Sequence, residues 1–527
     1  MSAPDPSGLV GATRSVVDGA LHLYGSGPAD PATAWARAVL HDARARLDEP
    51  LRVALAGTLK AGKSTLLNAL VGERIAATDA GECTRLVTWY RDAPSAAVVR
   101  EDVDGRRGAV PFTRDAEGLR IDLGGIGDPA RVGRLLVDWP SRGLADATLV
   151  DTPGLESIRE TNSRRTLSFV TPDDRPSGAD AVVYLMRHAH RSDVGFLEAF
   201  ADLAQGGAGG LGAVGASGTI VVLSRADEVG GGGLDAVTTA GQVAQAYRED
   251  PALRPLCQTV VAVDGLLAET ARTLRQSEFT ALRALARAPR AEVDALLLSA
   301  DRFTAAEPPA VVAEALASDP DGVRLDEPTR RRLMERFGVF GIRSATTVLR
   351  RGARTGRGVV DSPSLAEELV RRSGLGELRD VLSSRVLGRR DVHQARSALL
   401  AVDLVLGRAP RPDAGPVAAE LERLLTGAHA FTEQRLLAAL RQGQVGLPEG
   451  TAGEAERLLG GEGPGAAERL GLDDGAGSDV RAAALEALDR WRVRAESPLT
   501  SRAAAEVARA VVRSCEGLIG ALRPGEH

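Results

Sequence analysis

The six residues Leu51-Arg52-Val53-Ala54-Leu55-Ala56 run straight into Gly57-Thr58-Leu59-Lys60-Ala61-Gly62-Lys63-Ser64-Thr65, and the helix-forming stretch Leu66-Leu67-Asn68-Ala69-Leu70 follows. Few local patterns constrain a fold as tightly. A glycine-rich turn between a buried strand and a helix start curls main-chain N–H groups around an anion, and the helix N-terminus adds positive potential. In this pattern Lys63 would bridge β- and γ-phosphates, and the Ser64 hydroxyl would ligate Mg²⁺. Gly57, Lys60, Ala61, Gly62, Lys63, Ser64 and Thr65 are the expected contacts on the phosphate side.

All but two of the 65 Lys and Arg residues are arginine, and the two lysines, Lys60 and Lys63, both lie in this loop. With abundant Ala and Gly, this reflects a GC-rich coding bias. Arginine cannot replace lysine where a compact ammonium must fit inside a tight backbone ring.

Further short apolar runs end at Val150, Met186, Leu223 and Val263, with helical stretches and loops between them. Buried strands alternating with helices imply a doubly wound, mostly parallel sheet. Residues 86–90 and 96–100 read as antiparallel strands near its edge. Chemistry-bearing residues follow the strand ends. Asp151-Thr152-Pro153-Gly154 would hold the Mg²⁺ shell through Asp151 and offer the Gly154 N–H to the γ-phosphate. Ser224-Arg225-Ala226-Asp227 stands where GTP-binding proteins carry Asn/Thr-Lys-x-Asp. Asp227 would accept from guanine N1 and N2, a donor pair adenine lacks, and Arg225 would stack where a lysine stem normally packs. Val263 and Asp264 would form the last loop beside the base. Thr84, in the loop 77–85, is the expected switch threonine closing over Mg²⁺ and the γ-phosphate. The expected metal set is thus Ser64, Thr84 and Asp151, and the expected catalytic set is Lys60, Lys63 and Thr84. Leu155 and Glu156 follow Gly154, so no glutamine orients the attacking water there. Hydrolysis must rely on loop backbone, a cation such as Lys60, or a partner.

The 527 residues exceed one ordinary domain, and 44% hydrophobic with 26% charged residues suits a globular chain with a sizeable core. A net charge of −6 argues against a nucleic-acid-binding surface. Cys83, Cys257 and Cys515 are few and far apart, as in a reducing compartment. No signal peptide or transmembrane run is evident. Residues 31–48 read as an amphipathic helix. Beyond about 265 helical periodicity takes over: Ala395, Ala398, Leu399, Val402 and Leu406 share a face, as do Val417, Leu421, Leu424, Ala428 and Phe431, and Val507, Val511, Cys515, Leu518 and Leu522. The division expected is 1–50, a neck helix with a flexible leader; 51–355, an α/β nucleotide-binding head; and 356–527, an all-α neck or stalk. Residues 443–478, rich in Gly, Glu and Asp, read as a surface loop or tip.

Taken together, residues 57–70, the run Thr78 to Arg85, residues 193–200, 337–343 and the helix 389–400 resemble the dynamin superfamily, most closely the actinobacterial dynamin-like proteins. The resemblance covers most of residues 35–405. It implies a large GTPase head using GTP, GDP and Mg²⁺, carried on a helical neck and trunk. It implies head dimerisation across the nucleotide, a second dynamin-like partner, and membrane remodelling at the cytoplasmic face of the cell membrane. The chain departs from the family at Leu59, where eukaryotic members carry a polar catalytic residue. Lys60, typical of bacterial members, is the substitute candidate. The acidic segment 443–478 is a poor membrane wedge, and the basic clusters Arg330–Arg332 and Arg350, Arg351, Arg354 and Arg357 read first as solvated faces or salt-bridge partners, and second as lipid contacts. Two other readings stay open: a soluble regulatory switch, and an assembly subunit with weak GTPase activity.

Overall fold

The computed structural model describes residues 6–25, 30–76, 86–115, 118–122, 124, 131–153, 177–191, 193–198, 218–305, 307–317, 325–355, 361–448, 450–472 and 480–521. Eleven strands are defined among them: β1 Leu51–Gly57, β2 Thr88–Asp92, β3 Ala97–Asp102, β4 Arg107–Ala109, β5 Phe112–Asp115, β6 Gly118–Ile121, β7 Val132–Trp139, β8 Ala147–Asp151, β9 Ala181–Met186, β10 Thr219–Ser224 and β11 Thr259–Val263. Nine form one sheet in the order β11-β10-β9-β1-β8-β2-β7-β3-β4, and β5 pairs with β6 alone. The stretch from β11 to β8 is parallel throughout. β2 meets β8 antiparallel, and β3 is antiparallel to both β7 and β4.

β1 is buried at every position. Successive strand side chains point to opposite faces, so each face must be covered. Leu51, Val53 and Leu55 share one core with Leu66, Leu67 and Leu70 of the helix Lys63–Val71. Ala54 and Ala56 share the other with Tyr184, Met186, Phe196 and Leu197. Each fully buried leucine contributes about 2 kcal/mol, so the sheet positions the loop after β1 rigidly.

Three expectations are corrected. The first core also contains Leu375, Leu378, Leu382 and Val386, and Leu365 and Leu369 pack with Phe337 and Phe340. Packing against the head cores therefore extends past 355, to about residue 386, through the buried faces of the helices Ser362–Arg372 and Leu375–Val381. The leader read as flexible is, from Pro6 to Gly25, a helix. Its Leu9, Val16, Val17, Ala20 and Tyr24 recur at helical spacing and pack with Leu40 of the helix Pro31–Arg46 and with Leu399 and Val402 of the helix Arg390–Arg408. Finally, 443–478 is not one loop. It holds the helices Thr451–Leu458 and Ala466–Leu470. Ala455, Leu458 and Leu459 are buried against Trp491, Val507 and Val511 of the C-terminal hairpin, helices Val480–Glu496 and Arg502–Ala521. Its glycines mark helix ends: Gly450, Gly460 and Gly471 all have positive φ. No helix among the described residues is long and apolar enough to cross a membrane.

One buried carboxylate ties these parts together. Asp180, just before β9, accepts from the Arg46 guanidinium at the end of the second N-terminal helix. It also accepts from the Arg52 N–H of β1 at 2.9 Å and from the Ser397 hydroxyl at 2.8 Å. Burial pushes its pKa up, but Arg46 and the Arg52 N–H outweigh that and hold it below the ordinary carboxylate range. A carboxyl so lowered contributes stability that is complete above its unfolded pKa and is lost as pH falls through its folded value. Asp180→Ala would strand Arg46 in the interior, a loss of about 3–5 kcal/mol. Thermal unfolding followed by circular dichroism should show a drop of several degrees at neutral pH that narrows in acid. A change below about 1 kcal/mol would mean the carboxylate is dispensable.

Candidate functional site

Parallel strands align their carboxyl ends along one edge of the sheet. Leu55 sits opposite Asp151, Gly57 opposite Leu185, and Ser224 opposite Val263. The segments 57–64, 151–153, 224–228 and 263–266 thus lie side by side, at the crevice where the chain leaves β1 for partners on either side. Open α/β sheets bind ligands at such a point.

On the phosphate side, Gly57 has φ +146° and its Cα lies so close to β9 that an added Cβ would sit 2.3 Å from the Leu185 carbonyl oxygen. Gly62, at φ +90°, caps the helix that Lys63 opens. The Lys63 ammonium is buried and donates to the carbonyls of Gly57 at 3.1 Å and Thr58 at 3.2 Å. Burial pushes its pKa down, with Asp151 opposing. The Ser64 hydroxyl donates to Asp151 Oδ2 at 2.9 Å. The other oxygen, Oδ1, is buried with no hydrogen-bond partner in the described structure. Burial pushes the Asp151 carboxyl up against the pull of Lys63 and Ser64. An orphaned buried carboxylate oxygen beside a hydroxyl is a hard-oxygen set, and Mg²⁺ fits it.

Beyond Ala61, Gly62 and Thr65 a cleft opens that is lined by Ser224, Arg225 and Asp227, with Val263 and Asp264 on its far wall. Within it the roles divide. The Ser224 hydroxyl is turned into the sheet, donating to the Met186 carbonyl at 3.1 Å. Asp264 caps the helix Gly265–Arg272 by accepting from the Leu267 N–H at 3.0 Å. Its carboxyl is pushed up to about 8, first by burial and then by nearby Asp227. The Asp227 carboxyl is also raised, by burial and then by Glu228. Thr84 and Gly154 lie outside the described residues.

Sequence reasoning missed two features. Lys60 and Arg225 are the only non-glycine residues of the described structure with positive φ, at 60° and 53°. They touch: Arg225 Nη2 donates to the Lys60 carbonyl at 3.2 Å, and Nη1 to Glu228 at 2.6 Å. Left-handed backbone costs on the order of 1 kcal/mol or more at each such residue, so strain collects where the loop after β1 meets the segment 224–228. The signal available was that a guanidinium at a lysine position brings extra N–H donors. The second feature is Asn68. Its Oδ1 accepts from the N–H groups of Ile75 and Ala76 at 3.0 and 2.8 Å, and its amide donates to Glu269 at 3.1 Å. Glu269 also takes Arg74 at 2.8 Å. This network fixes the chain just before residue 77, where the segment bearing Thr84 begins. The signal was a lone buried amide in a Leu/Ala-rich helix.

A family model described as 50S ribosome-binding GTPase matches residues 52–204. The isoniazid-induced protein IniC of Mycobacterium tuberculosis is 42% identical over 506 residues, which is 96% of this chain and 97% of that protein. A bacterial dynamin-like protein of Nostoc punctiforme is 27% identical over 159 residues, 27% of this chain and 21% of its own length. A solved structure of an oligomerised bacterial dynamin pair, described as sensing and tethering membranes, aligns with 97% of this chain and 72% of its own at 12% identity. Its TM-score of 0.29 is too low for residue-by-residue correspondence.

Gly57→Ala places a methyl against the Leu185 carbonyl, so the loop must shift. Calorimetric titration with guanine nucleotide should show affinity reduced at least ~10-fold, the equivalent of about 1.4 kcal/mol. Retained affinity would show that loop position after β1 is not critical.

Proposed function

This chain belongs to the bacterial dynamin-like GTPases, the family of IniC, and from that premise we propose how its residues hydrolyse GTP and what the hydrolysis drives. Main-chain N–H groups of 58–64 cradle the β-phosphate. Lys63 gives up the Gly57 and Thr58 carbonyls for β- and γ-phosphate oxygens, exchanging two neutral acceptors for charged ones. Ser64 and Asp151 hold Mg²⁺, with Thr84 the further candidate ligand. When bound, Mg²⁺ neutralises charge on the β- and γ-phosphates. Asp227 accepts from guanine, which offsets the burial that raises its pKa. Arg225 covers the base while anchored to Lys60, and Gly154 reads the γ-phosphate.

Lys60 is the proposed source of transition-state charge. Leu59 is half-exposed and apolar and supplies no proton or charge. The strained Lys60 backbone, pinned by Arg225, sets the direction from which its ammonium enters the site. The observation that carries the mechanism is the buried Lys63–Ser64–Asp151 cluster with its one unpartnered oxygen.

For the work done, we propose head dimerisation across the nucleotide and membrane remodelling at the inner face of the cell membrane, with a second copy or a second dynamin-like protein. The support is family membership and the physical link from head to helical bundle through Asp180. A soluble switch remains the competitor, favoured by the ribosome-binding description of the matched family model.

Single-turnover assays separate these parts. Lys63→Ala should lower GTP hydrolysis at least 100-fold, and a chelator should abolish it in the wild type. Asp227→Ala should cut the preference for GTP over ATP by about 10–100-fold, the value of a charge-assisted hydrogen-bonded pair. Hydrolysis indifferent to Lys63→Ala would remove the site assignment. Co-sedimentation with acidic liposomes, alone and with a dynamin-like partner, tests the membrane role. Pelleting in neither case, with ribosome binding instead, would favour the switch.

A further inference from the structure

At the opposite edge of the sheet, where β11 begins, a crevice of about 230 Å³ lies between the head and the helical region. Five arginines line it. Arg248 ends the helix Ala236–Glu249 and Arg254 follows it; both belong to the head. Arg385 lies in the turn Leu382–Val386. Arg441 ends the helix His429–Arg441 and Arg457 lies in the helix Thr451–Leu458, both on the helical side. The carboxylates lining the crevice are Glu456 and Glu462.

The charges do not balance. Glu456 serves both Arg254 and Arg441, the latter at 3.5 Å. Arg248 pairs with Glu377 outside the lining and also donates to the Val260 carbonyl at 2.6 Å and to Gln245 at 3.2 Å. Arg385 has a single side-chain hydrogen bond in the described structure, a long 3.5 Å contact to the Gln258 carbonyl. The Nε of Arg457 also lacks a partner there, but it is closed off from solvent beside Gly471. Burial lowers the pKa of Arg385, and the like charges of Arg441 and Arg248 lower it further against Glu462. Arg441 is lowered by burial too, with Arg254 adding and Glu456 opposing. Guanidinium groups converging in a half-buried space, with the donors of Arg385 unspent but for one long contact, are the arrangement that recognises phosphate oxygens. The crevice is smaller than the usual pocket for an organic ligand, so the anion must be compact.

We propose that this crevice binds a compact, doubly charged phosphate group, which bridges head arginines to arginines of the helical region and clamps the two together. The ligand is either a free phosphate or the phosphomonoester headgroup of a lipid such as phosphatidic acid. The site is separate from the nucleotide cleft and does not depend on GTP hydrolysis.

The test uses the full chain saturated with GDP and Mg²⁺, so that the nucleotide loop is occupied. Inorganic phosphate is titrated at constant ionic strength while thermal unfolding is followed. The wild type should gain stability with phosphate. The double variant R385Q/R457Q should respond with at least ~10-fold weaker apparent affinity. Its GDP affinity should equal wild type, which certifies its fold, and without phosphate it should be no less stable, because repulsion has been relieved. R457Q alone serves if the double variant does not fold. Phosphatidylcholine vesicles with and without phosphatidic acid identify the source. Binding that falls in the variant assigns a lipid phosphate, whereas binding equal in both, with the phosphate response lost, assigns a free one. If phosphate stabilises both proteins equally and acidic vesicles do not distinguish them, the proposal is overturned.

Discussion

Everything at the nucleotide edge depends on β1 being held between β8 and β9. Its seven buried residues leave it no freedom to slide, because a one-residue slip would exchange Val53 and Leu55 for Ala54 and Ala56 on opposite faces. That register sets Leu55 against Asp151 and Gly57 against Leu185. The 2.9 Å contact between Ser64 and Asp151 follows from it, although 87 residues separate the two in sequence. The Thr152 hydroxyl reinforces the alignment by donating to the Leu55 carbonyl at 2.7 Å. The chemistry of the site is thus set by sheet packing first and by loop composition second.

The helical region is joined to this platform at more than one level. Asp180 gathers Arg46, Arg52 and Ser397 at one carboxylate. Gln394, a few residues before Ser397, donates to the carbonyls of Arg46 at 2.8 Å and Glu49 at 2.6 Å. The end of the second N-terminal helix is therefore gripped from the Arg390–Arg408 helix while its own guanidinium reaches β9. Rotation of the bundle against the head must break polar contacts that are buried, and buried donors left unpaired are costly. Such a joint favours discrete positions over a continuum.

How much of this was legible beforehand depends on the range of the interaction involved. The strand ends at Val150, Met186, Leu223 and Val263 were read within a residue, because a strand buried on both faces writes itself as a short apolar run. The phosphate loop was legible because glycine and lysine are required there by local backbone geometry. The N-terminal helix was missed although its apolar residues repeat at helical spacing, since its partner lies near residue 400. The helices within 443–478 were hidden by acidic and glycine-rich surroundings: their apolar face is narrow, Ala455, Leu458, Leu459 and Leu470, and is completed by Trp491. Asp264 carried the composition of a base contact, yet its carboxyl is engaged in capping a helix. The pairing of Lys60 with Arg225 was not legible from spacing, being a contact between loops 165 residues apart.

The scarcity of lysine acquires another meaning once the fold is known. Lys63 is buried, whereas Lys60, three residues earlier in the same loop, is exposed. Within this sequence that leaves a single exposed lysine amine, carried by the loop between β1 and the helix Lys63–Val71. Acylating reagents, amine-directed cross-linkers and cellular acetyl donors, which scatter over the surface of most proteins, would here converge on one address. Occupancy of that loop becomes readable as the protection or loss of a single modification.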